Sequence, residues 1–280
     1  MKNFFLNELR QEKFRNGVPF TNDNEKLFSH EFLKTLDKDP LKLVESHNNF
    51  NISFNISFNI KLFLVRLNLM TLLAQDFIEE NKWVKKLLEN GNVFIVGGFN
   101  RDVLAELPIK DIDLVTDLTP NQVVEILKDE VETDLIGEHF GVVMVKAKET
   151  FEIATFRKDI YHGKKGLGAD EVEFGTLEDD WQRRDFTINT LYFNLKTFEL
   201  LDPSQKGIKH CLENKFSFIG RPEDRIFEDS LRIMRVYKFI KKGFIPIKGT
   251  LEAVRRNFDF MMKNGNAERV RTEMEKLIQL

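Results

Sequence analysis

The segment Val93-Phe94-Ile95-Val96 is short and wholly apolar, and two glycines, Gly97 and Gly98, follow it at once. A short apolar segment of this kind is typical of a strand buried inside a sheet, since its side chains need cover on both faces. The glycines let the backbone turn sharply, and they let a phosphate approach peptide N–H groups at the start of a following helix. A Gly pair after a strand is often only a turn, so the segment predicts a sheet and leaves phosphate binding open.

Strand and helix signals alternate from Trp83 to about residue 220. A helix is predicted over 83–90 with Gly91 as its C-cap, and another over 120–128, where Thr119 is the N-cap and Pro120 the first helical residue. A loop over 158–175 precedes a third helix near Thr176. Beyond Arg221 all signals are helical. The predicted strands are 93–96, 110–115, 141–146, 151–156, 191–194 and 198–201, and the predicted C-terminal helices are 223–242, 250–258 and 267–280.

Residues 1 to about 80 differ in character from the rest. They contain the repeat NISFNISFNI over 51–60, in which polar and apolar residues alternate strictly. Alternation favours a strand or a hairpin with isoleucine and phenylalanine on one face. A low-complexity insertion explains the repeat equally well, so both interpretations stay open.

Composition excludes several classes of protein. One cysteine, Cys211, among 280 residues excludes an internal disulfide framework and a cysteine-built zinc site. There is no apolar run long enough to span a membrane and no secretory signal at the start, so we expect a cytoplasmic protein that does not associate with a membrane. The net charge of −3 argues against a uniform basic coat, but residues 221–280 hold 14 Lys+Arg against 9 Asp+Glu. The helical end is therefore the basic end.

Asp111 and Asp113 are the most informative acidic residues. Two residues apart on a predicted strand, they project from the same face and repel each other unless a cation lies between them. Mg²⁺ prefers oxygen ligands and shares them with substrate phosphates, so it is the natural candidate. Glu152, with apolar neighbours on another predicted strand, could complete a three-carboxylate cluster. A bare Asp-x-Asp is also typical of solvated acids at a strand end, and Glu152 fits an edge strand equally well.

Two further groups of polar residues could bind a nucleotide. The segment 183–189, Arg-Arg-Asp-Phe-Thr-Ile-Asn, offers guanidiniums for phosphate and a carboxylate for a ribose hydroxyl, although such arginines are often a surface salt-bridge patch. Asp229 and Arg232 lie at i and i+3 of a predicted helix, so they share one face. Such a pair can hydrogen-bond the edge of a base, or it can be an ordinary intrahelical ion pair.

Taken together and in this order, these segments resemble the class II tRNA nucleotidyltransferase (CCA-adding enzyme) and bacterial poly(A) polymerase family. The resemblance covers roughly residues 83–280 and rests on four motifs. These are Gly97-Gly98-x-x-Arg101-Asp102 with Lys110-Asp111-Ile112-Asp113; Arg183-Arg184-Asp185-Phe186-Thr187-Ile188-Asn189; Glu228-Asp229-x-x-Arg232-x-x-Arg235; and Glu268-Arg269-Val270-Arg271-Thr272-Glu273-Met274-Glu275-Lys276-Leu277.

The resemblance implies an α+β fold. A nucleotidyltransferase head, a mixed β-sheet with flanking helices, would occupy 83–219, and an all-helical neck that recognises the nucleotide base would occupy 220–280. Residues 1–82 would form an N-terminal extension of unknown role. The family's body and tail domains are expected to be absent, so a protein partner or an oligomer could supply the missing grip on RNA.

The resemblance also implies roles for individual residues. Mg²⁺ ions would be held by Asp111 and Asp113, with Glu152 as the third catalytic carboxylate. The other motif residues would bind the nucleotide: the triphosphate at the glycine turn, the ribose at Asp185, and the base of CTP or ATP at the neck helix. The loop over 158–175 resembles the family's flexible loop, whose motion accompanies the change from C to A addition. The implied nucleotide-binding residues are Gly97, Gly98, Arg101, Arg184, Asp185, Asn189, Asp229, Arg232 and Arg235.

The expected activity is template-independent addition of C, A or both from CTP and ATP to the 3′ end of a tRNA or another RNA by a two-metal mechanism. A poly(A) polymerase or an A-adding enzyme is the alternative within the class. Outside it, a truncated RNA-binding or regulatory module, or one part of a split enzyme, remains open. Asn100, Glu106 and the pair His210-Cys211 depart from the residues that the family usually shows at their places.

Overall fold

The computed structural model describes residues 50–135, 141–163 and 166–279. Its contacts divide the chain into two compact units, Met1–Leu62 and Phe63–Leu280. Helix α1 (Phe50–Glu80) includes the whole repeat, so the predicted strand or hairpin over 51–60 is wrong. A four-residue repeat is close to the helical period of 3.6 as well as a multiple of the strand period, and here the helix continues without a break into residues 61–80.

The second unit is built on a seven-stranded mixed sheet. Its strands are β1 (Val93–Val96), β2 (Asp113–Thr116), β3 (Glu132–Leu135), β4 (Val142–Lys146), β5 (Thr150–Thr155), β8 (Tyr192–Asn194) and β9 (Leu200–Leu201). Their order in the sheet is β3-β4-β5-β2-β1-β8-β9, and β2 and β5 are parallel while the other neighbours are antiparallel. The predicted α+β class is therefore confirmed.

The helices that flank the sheet begin where the sequence indicates. Thr119 and Gln122 form a capping box at the start of α4, and Thr176 and Asp179 form another at the start of α5. The predicted loop over 158–175 is partly wrong, because it contains most of an antiparallel hairpin of β6 (Arg157–Ile160) and β7 (Glu171–Phe174). The helices before residue 220 are α2 (Trp83–Asn90), α3 (Gly98–Leu104), α4 (Pro120–Leu127), α5 (Leu177–Arg183) and α6 (Gly207–Leu212), with a 3₁₀ turn at Thr187–Asn189.

The larger core lies on one face of the sheet and includes the C-terminal half of α1. Met70, Ala74 and Phe77 of α1 are buried in the same cluster as Ile95 and Leu114. Residues 63–82, which the sequence assigned to the extension, are thus part of the second unit. A smaller aromatic cluster, with Phe94, Phe156 and Tyr192 at its centre, covers the opposite face.

The single helix predicted over 223–242 is interrupted. Helix α7 (Pro222–Glu228) ends before Asp229, whose backbone is extended, and α8 (Arg232–Lys241) begins three residues later. Three backbone groups around this break, the carbonyl oxygens of Phe227 and Glu228 and the N–H of Ser230, bond residues 166–168. The remaining elements are β10 (Lys215–Phe216) paired with β11 (Ile245–Pro246), α9 (Thr250–Asn264) and α10 (Ala267–Gln279). No helix in the described residues is both long and apolar enough to cross a membrane.

Two of the unusual residues have clear structural roles. The buried Asn100 side chain donates to the carbonyl oxygens of Ile95 and Leu191, at 2.7 and 2.8 Å, and so fastens α3 to the sheet. Glu106 has a φ of +57°, in the left-handed region that favours glycine, and its carboxylate pairs with Arg66. These contacts explain what an amide and an acid do at these two places.

Candidate functional site

A polar cavity of about 930 Å³ opens between the strand ends of the sheet and helices α8 and α10. Ten of its side chains are Lys or Arg and six are Asp, so the cavity carries a positive excess suited to a polyanion. Every cavity residue belongs to the second unit. The cavity is lined by Gly97, Gly98, Arg101, Asp102, Lys110, Asp111, Asp113, Arg157, Asp159, Tyr161, Leu167, Gly168, Ala169, Arg183, Arg184, Asp185, Asn189, Asp229, Arg232, Arg235, Lys238, Phe239, Lys242 and Arg269.

The glycine turn lies at one end of this cavity. Gly97 is the N-cap of α3 with a φ of +66°, a conformation that a residue with a Cβ rarely adopts. A Cβ built on Gly97 would lie 3.8 Å from Oδ2 of Asp113, so the turn and the first carboxylate of β2 face each other closely. The turn therefore leaves space between backbone and carboxylate that a side chain would reduce.

Arg101, just behind the turn, is fixed from several sides. Its Nε and Nη2 donate to the two oxygens of the buried Asp102, each at 2.8 Å, and its Nη1 donates to Oδ1 of Asn189 at 2.8 Å. The guanidinium carbon lies 5.0 Å from the ring centroid of Phe239, and Nζ of Lys242 lies 3.5 Å from Asp102. These contacts hold a cation at the glycine turn with little freedom to move.

Asp111 and Asp113 both line the cavity, but they are not on one strand as predicted, because β2 begins only at Asp113. The pKa of Asp113 is raised, first by desolvation and then by the negative charges of Glu152 and Asp111. Glu152 is exposed and does not line the cavity. Among the described residues no group of three His, Cys, Asp or Glu side chains is arranged to hold a metal ion, and the role of Glu152 stays a prediction.

Asp185 and Asp229 are joined by one arginine. Arg235 donates Nη1 to Oδ2 of Asp185 at 3.0 Å and Nη2 to Oδ2 of Asp229 at 2.6 Å. Burial alone would raise the pKa of Asp185, but the charge of Arg235 and the amide of Asn189, at 2.9 Å, outweigh it and lower that pKa. Asp185 therefore presents a fixed carboxylate inside the cavity.

Arg232 is buried, and its two terminal Nη groups already have protein partners, whereas its Nε has none in the described residues. Nη1 donates to the Arg225 carbonyl oxygen at 3.0 Å and to Oε2 of Glu228 at 2.6 Å, while Nη2 donates to the Arg183 carbonyl oxygen at 2.8 Å. Asp229 and Arg232 lie on either side of the helix break, not on one continuous helix face as the sequence predicted. Both nevertheless line the cavity.

Residues 166–168 reach the helix break from the head. Gly168 N donates to the Glu228 carbonyl oxygen at 2.9 Å, and the buried Ser230 donates from N and Oγ to the Gly166 carbonyl oxygen at 3.1 and 2.8 Å. Arg269 of α10 donates to the Leu167 carbonyl oxygen at 2.7 Å. The segment thus links the head to the break and to the last helix.

The cavity brings together every predicted site residue except Glu152. Sequence reasoning missed several cavity side chains, among them Arg157, Asp159 and Tyr161 on the β6 hairpin and Lys242 at the end of α8. The alternation Arg157, Asp159, Tyr161 was a usable strand signal, because residues two apart lie on one face. Lys242 carried no such signal, since its place in the cavity depends on how α8 packs.

Comparisons with known proteins agree with this geometry. Residues 93–216 match the Poly A polymerase head domain family. The CCA-adding enzyme of Bacillus velezensis is 35% identical over 211 residues, which cover 74% of this chain and 52% of that enzyme. The CCA-adding enzyme of Anoxybacillus flavithermus is 31% identical over 208 residues, which cover 74% of this chain and 51% of that enzyme. The chain spans about half the length of the curated relatives that it matches.

Solved structures give the same result. The crystal structure of the Bacillus stearothermophilus CCA-adding enzyme in complex with CTP is 30% identical with a TM-score of 0.62, covering 71% of this chain and 48% of that one. A CCA-adding enzyme in complex with ATP is 25% identical with a TM-score of 0.57, covering 78% of this chain and 49% of that one. Residues 93–216 thus match the Poly A polymerase head domain family, and the resemblance of the head and neck regions to class II tRNA nucleotidyltransferases and bacterial poly(A) polymerases is confirmed.

Proposed function

We propose that the chain is an RNA 3′-terminal nucleotidyltransferase that adds C and A from CTP and ATP to tRNA without a nucleic-acid template. One observation carries the proposal. A single basic cavity gathers the glycine turn, the Asp111/Asp113 pair and the residues that the family's nucleotide motifs predict. The names of the relatives, CCA-adding enzymes with CTP and ATP complexes, support the same substrates.

The residues at the glycine turn fit a divalent metal. Asp111 and Asp113 offer carboxylate oxygens, and the pKa of Asp113 is raised by desolvation and then by the negative charges of Glu152 and Asp111, which a cation would neutralise. Asp111 and Asp113 would hold Mg²⁺, and Glu152 remains a predicted third catalytic carboxylate. When bound, Mg²⁺ would favour the ionised 3′-hydroxyl of the RNA and stabilise the charge that develops on the leaving pyrophosphate.

The chain's own side chains would bind and orient the nucleotide. The turn at Gly97 and Gly98 leaves backbone space for phosphate oxygens, and the fixed guanidinium of Arg101 adds positive charge beside it. Asp185, held by the Asn189 amide, would accept a hydrogen bond from a ribose hydroxyl. This arrangement would bring the α-phosphate to the Asp end of the cavity in a defined orientation.

Base recognition would require Asp229 and Arg232 to exchange partners. In the structure Arg232 donates to protein oxygens and Asp229 accepts from Arg235. A cytosine or adenine edge would replace some of these hydrogen bonds, and only bases with the matching donors and acceptors would compensate for their loss. Selection of C and A over U and G would follow from this exchange.

Labelled CTP or ATP, Mg²⁺ and a tRNA that lacks its CCA end test the proposal. The wild-type chain should extend the tRNA, and an Asp111→Ala/Asp113→Ala variant should not. Absence of labelled product with the wild type, or equal product with the variant, would exclude the proposed activity. A minihelix and an oligo(A) acceptor in parallel define which RNA is used.

A poly(A) polymerase or A-adding activity is the second candidate, because the family that matches 93–216 is named for poly(A) polymerases. Sustained A-tailing without C addition would favour it. A cytoplasmic location also belongs to this proposal, as does a protein partner or second copy that grips the RNA. Weak, steeply salt-dependent tRNA binding by the chain alone would support the need for such a partner.

A further inference from the structure

Asp180 lies one helical turn before Arg183 and Arg184 on α5, and its side chain is fully buried. Its Oδ1 accepts from Nε and Nη2 of Arg183 at 2.9 and 2.7 Å. Its Oδ2 accepts from Nε and Nη2 of Arg184 at 3.1 and 2.8 Å, and from the hydroxyl of Tyr192 at 2.6 Å. One carboxylate therefore fixes two arginines through the same edge of each guanidinium.

Asp180 contacts only the Nε and Nη2 edge of each guanidinium, and the opposite edge makes only long contacts. Nη1 of Arg184 makes only a long contact, 3.5 Å, with the Asn189 carbonyl oxygen. Nη1 of Arg183 lies 3.9 Å from Oδ1 of Asp159. Arg183 and Arg184 line the cavity, whereas Asp180 lies behind them and does not. The two Nη1 groups are thus the donors that this cluster offers to a ligand.

The charges of the cluster favour an anion. Burial alone would raise the pKa of Asp180, but the charges of Arg184 and Arg183 and the Tyr192 hydroxyl outweigh it and lower that pKa to about 2. Asp180 is therefore ionised at any working pH, and the three guanidiniums of Arg157, Arg183 and Arg184 with the two carboxylates of Asp159 and Asp180 keep a net positive charge. A fixed guanidinium loses less conformational entropy when it binds a phosphate than a mobile one does.

We propose that Asp180 is a positioning residue that aligns Nη1 of Arg183 and of Arg184 to bind a phosphate of the nucleoside triphosphate. The proposal rests on the proposed function for its ligand, and it assigns a role to a residue outside the cavity. Tyr192 supports the same carboxylate from the sheet, with the guanidinium carbon of Arg184 5.0 Å from the centroid of its ring. The role is preorganisation, because Asp180 itself has no access to the nucleotide.

Binding measurements without RNA test this role separately from catalysis, because no transfer occurs without an acceptor. CTP is titrated calorimetrically into the full chain, and inorganic pyrophosphate and cytidine compete with it. For Asp180→Asn we expect the dissociation constants of CTP and pyrophosphate to rise about tenfold or more, and that of cytidine to change less than about twofold. Tyr192→Phe, which keeps both arginine pairs, should raise the pyrophosphate constant about two- to threefold.

Glu106→Gln is the matched control, because it removes another carboxylate–arginine pair, with Arg66, at a site outside the cavity. It should lower the melting temperature and leave all three dissociation constants unchanged. An equal rise in the pyrophosphate constant for Glu106→Gln would overturn the proposal, because the effect would then be a general loss of stability.

Other results would overturn either the positioning role or the proposed function. An unchanged pyrophosphate constant in Asp180→Asn, or an equal loss for cytidine and pyrophosphate, would overturn the positioning role alone. If Asp180→Asn does not fold, an unchanged pyrophosphate constant in Tyr192→Phe would do the same. A wild-type chain that binds neither CTP nor pyrophosphate would instead overturn the proposed function, and the positioning role with it.

Discussion

The two ends of the cavity differ in how their carboxylates are neutralised. At the glycine turn, Asp111 and Asp113 make no hydrogen bond or ion pair within the described part of the chain, and the pKa of Asp113 is raised. At the other end, Asp185 and Asp229 are both bound by Arg235, and the pKa of Asp185 is lowered. The first end leaves negative charge for an added cation, whereas the second end is neutralised by the protein itself.

Asp113→Asn should produce the largest effect on activity. Loss of a metal-binding carboxylate should lower the rate of nucleotide incorporation about 10³-fold or more, since the metal contributes several kcal/mol of transition-state stabilisation. Stability should stay level or rise, because the substitution removes repulsion from Asp111 and Glu152. Incorporation kinetics and thermal melting measure the two effects.

Asp129→Asn is the control for this variant, since Asp129 is exposed and lies outside the cavity. It should leave the incorporation rate unchanged. A clear drop in melting temperature for Asp113→Asn would contradict the account of this end, because it would mean that the carboxylate has a stabilising protein partner.

Asp229→Asn should lower the rates with CTP and ATP about 10- to 100-fold and weaken discrimination against UTP and GTP, because one good base contact contributes about 1–3 kcal/mol. It should also destabilise the fold by about 1–3 kcal/mol, since Arg235 would lose a charged partner. Incorporation rates with all four nucleotides measure the change in selectivity, and urea unfolding measures the change in stability.

Asp259→Asn is the control, because Asp259 is an exposed acid on α9, and it should show neither effect. Unchanged selectivity in Asp229→Asn would mean that Asp229 does not take part in base recognition.

Gly166→Ala tests whether residues 166–168 pack against the helix break at Asp229. Gly166 has a φ of +88°, and a Cβ there would lie 3.0 Å from Cε1 of Phe260. We expect a loss of about 2–3 kcal/mol, of which about 1–2 kcal/mol is backbone strain and the rest is overpacking. Gly163→Ala, with a φ of +93° and open space around the Cβ, should show only the strain. Equal losses in urea unfolding would mean that residues 166–168 are not packed against the break in solution.

The pH dependence of stability should have opposite signs for Asp180, behind the cavity, and Asp113, at its glycine-turn end. The pKa of Asp180 is lowered to about 2, so its stabilising effect is complete above the unfolded value near 4 and is lost as the pH falls towards 2. Protonation of Asp180 should therefore lower the free energy of unfolding by about 2 kcal/mol. Asp113, with its raised pKa, acts in the opposite sense, because protonation relieves its repulsion. Urea unfolding between pH 2 and 5 should therefore show a shallower decline for Asp180→Asn than for the wild type.

The sequence predicted the sheet and most of the helix starts because these depend on local signals. The four apolar residues of β1 and the capping boxes at Thr119 and Thr176 act within a few residues. For the repeat over 51–60 the strand interpretation was wrong, because a four-residue period is compatible with both a helix and a strand. The break at Asp229 was missed, since the groups that cause it come from residues 166–168, far away in sequence.

For the site, too, local sequence signals were predictable and contacts between distant residues were not. Motifs predicted which residues gather in the cavity, because each motif is a short stretch of sequence whose residues stay close in space. Partners were not predictable in the same way: the pairing of Arg235 with both Asp185 and Asp229 depends on the packing of α8 against the head. Asp180 did have a local signal, since Arg183 and Arg184 follow at i+3 and i+4, but the same spacing is common on exposed helices.

The contrast between the two ends is tested most directly by combining nucleotide incorporation with nucleotide binding. Labelled CTP and ATP incorporation into a tRNA without its CCA end is followed across a Mg²⁺ titration, and CTP binding is measured without RNA. We expect Mg²⁺-dependent incorporation by the wild type, and CTP binding without incorporation by Asp111→Asn/Asp113→Asn. Incorporation by that variant at the wild-type rate, or none by the wild type at any Mg²⁺ concentration, would contradict the account.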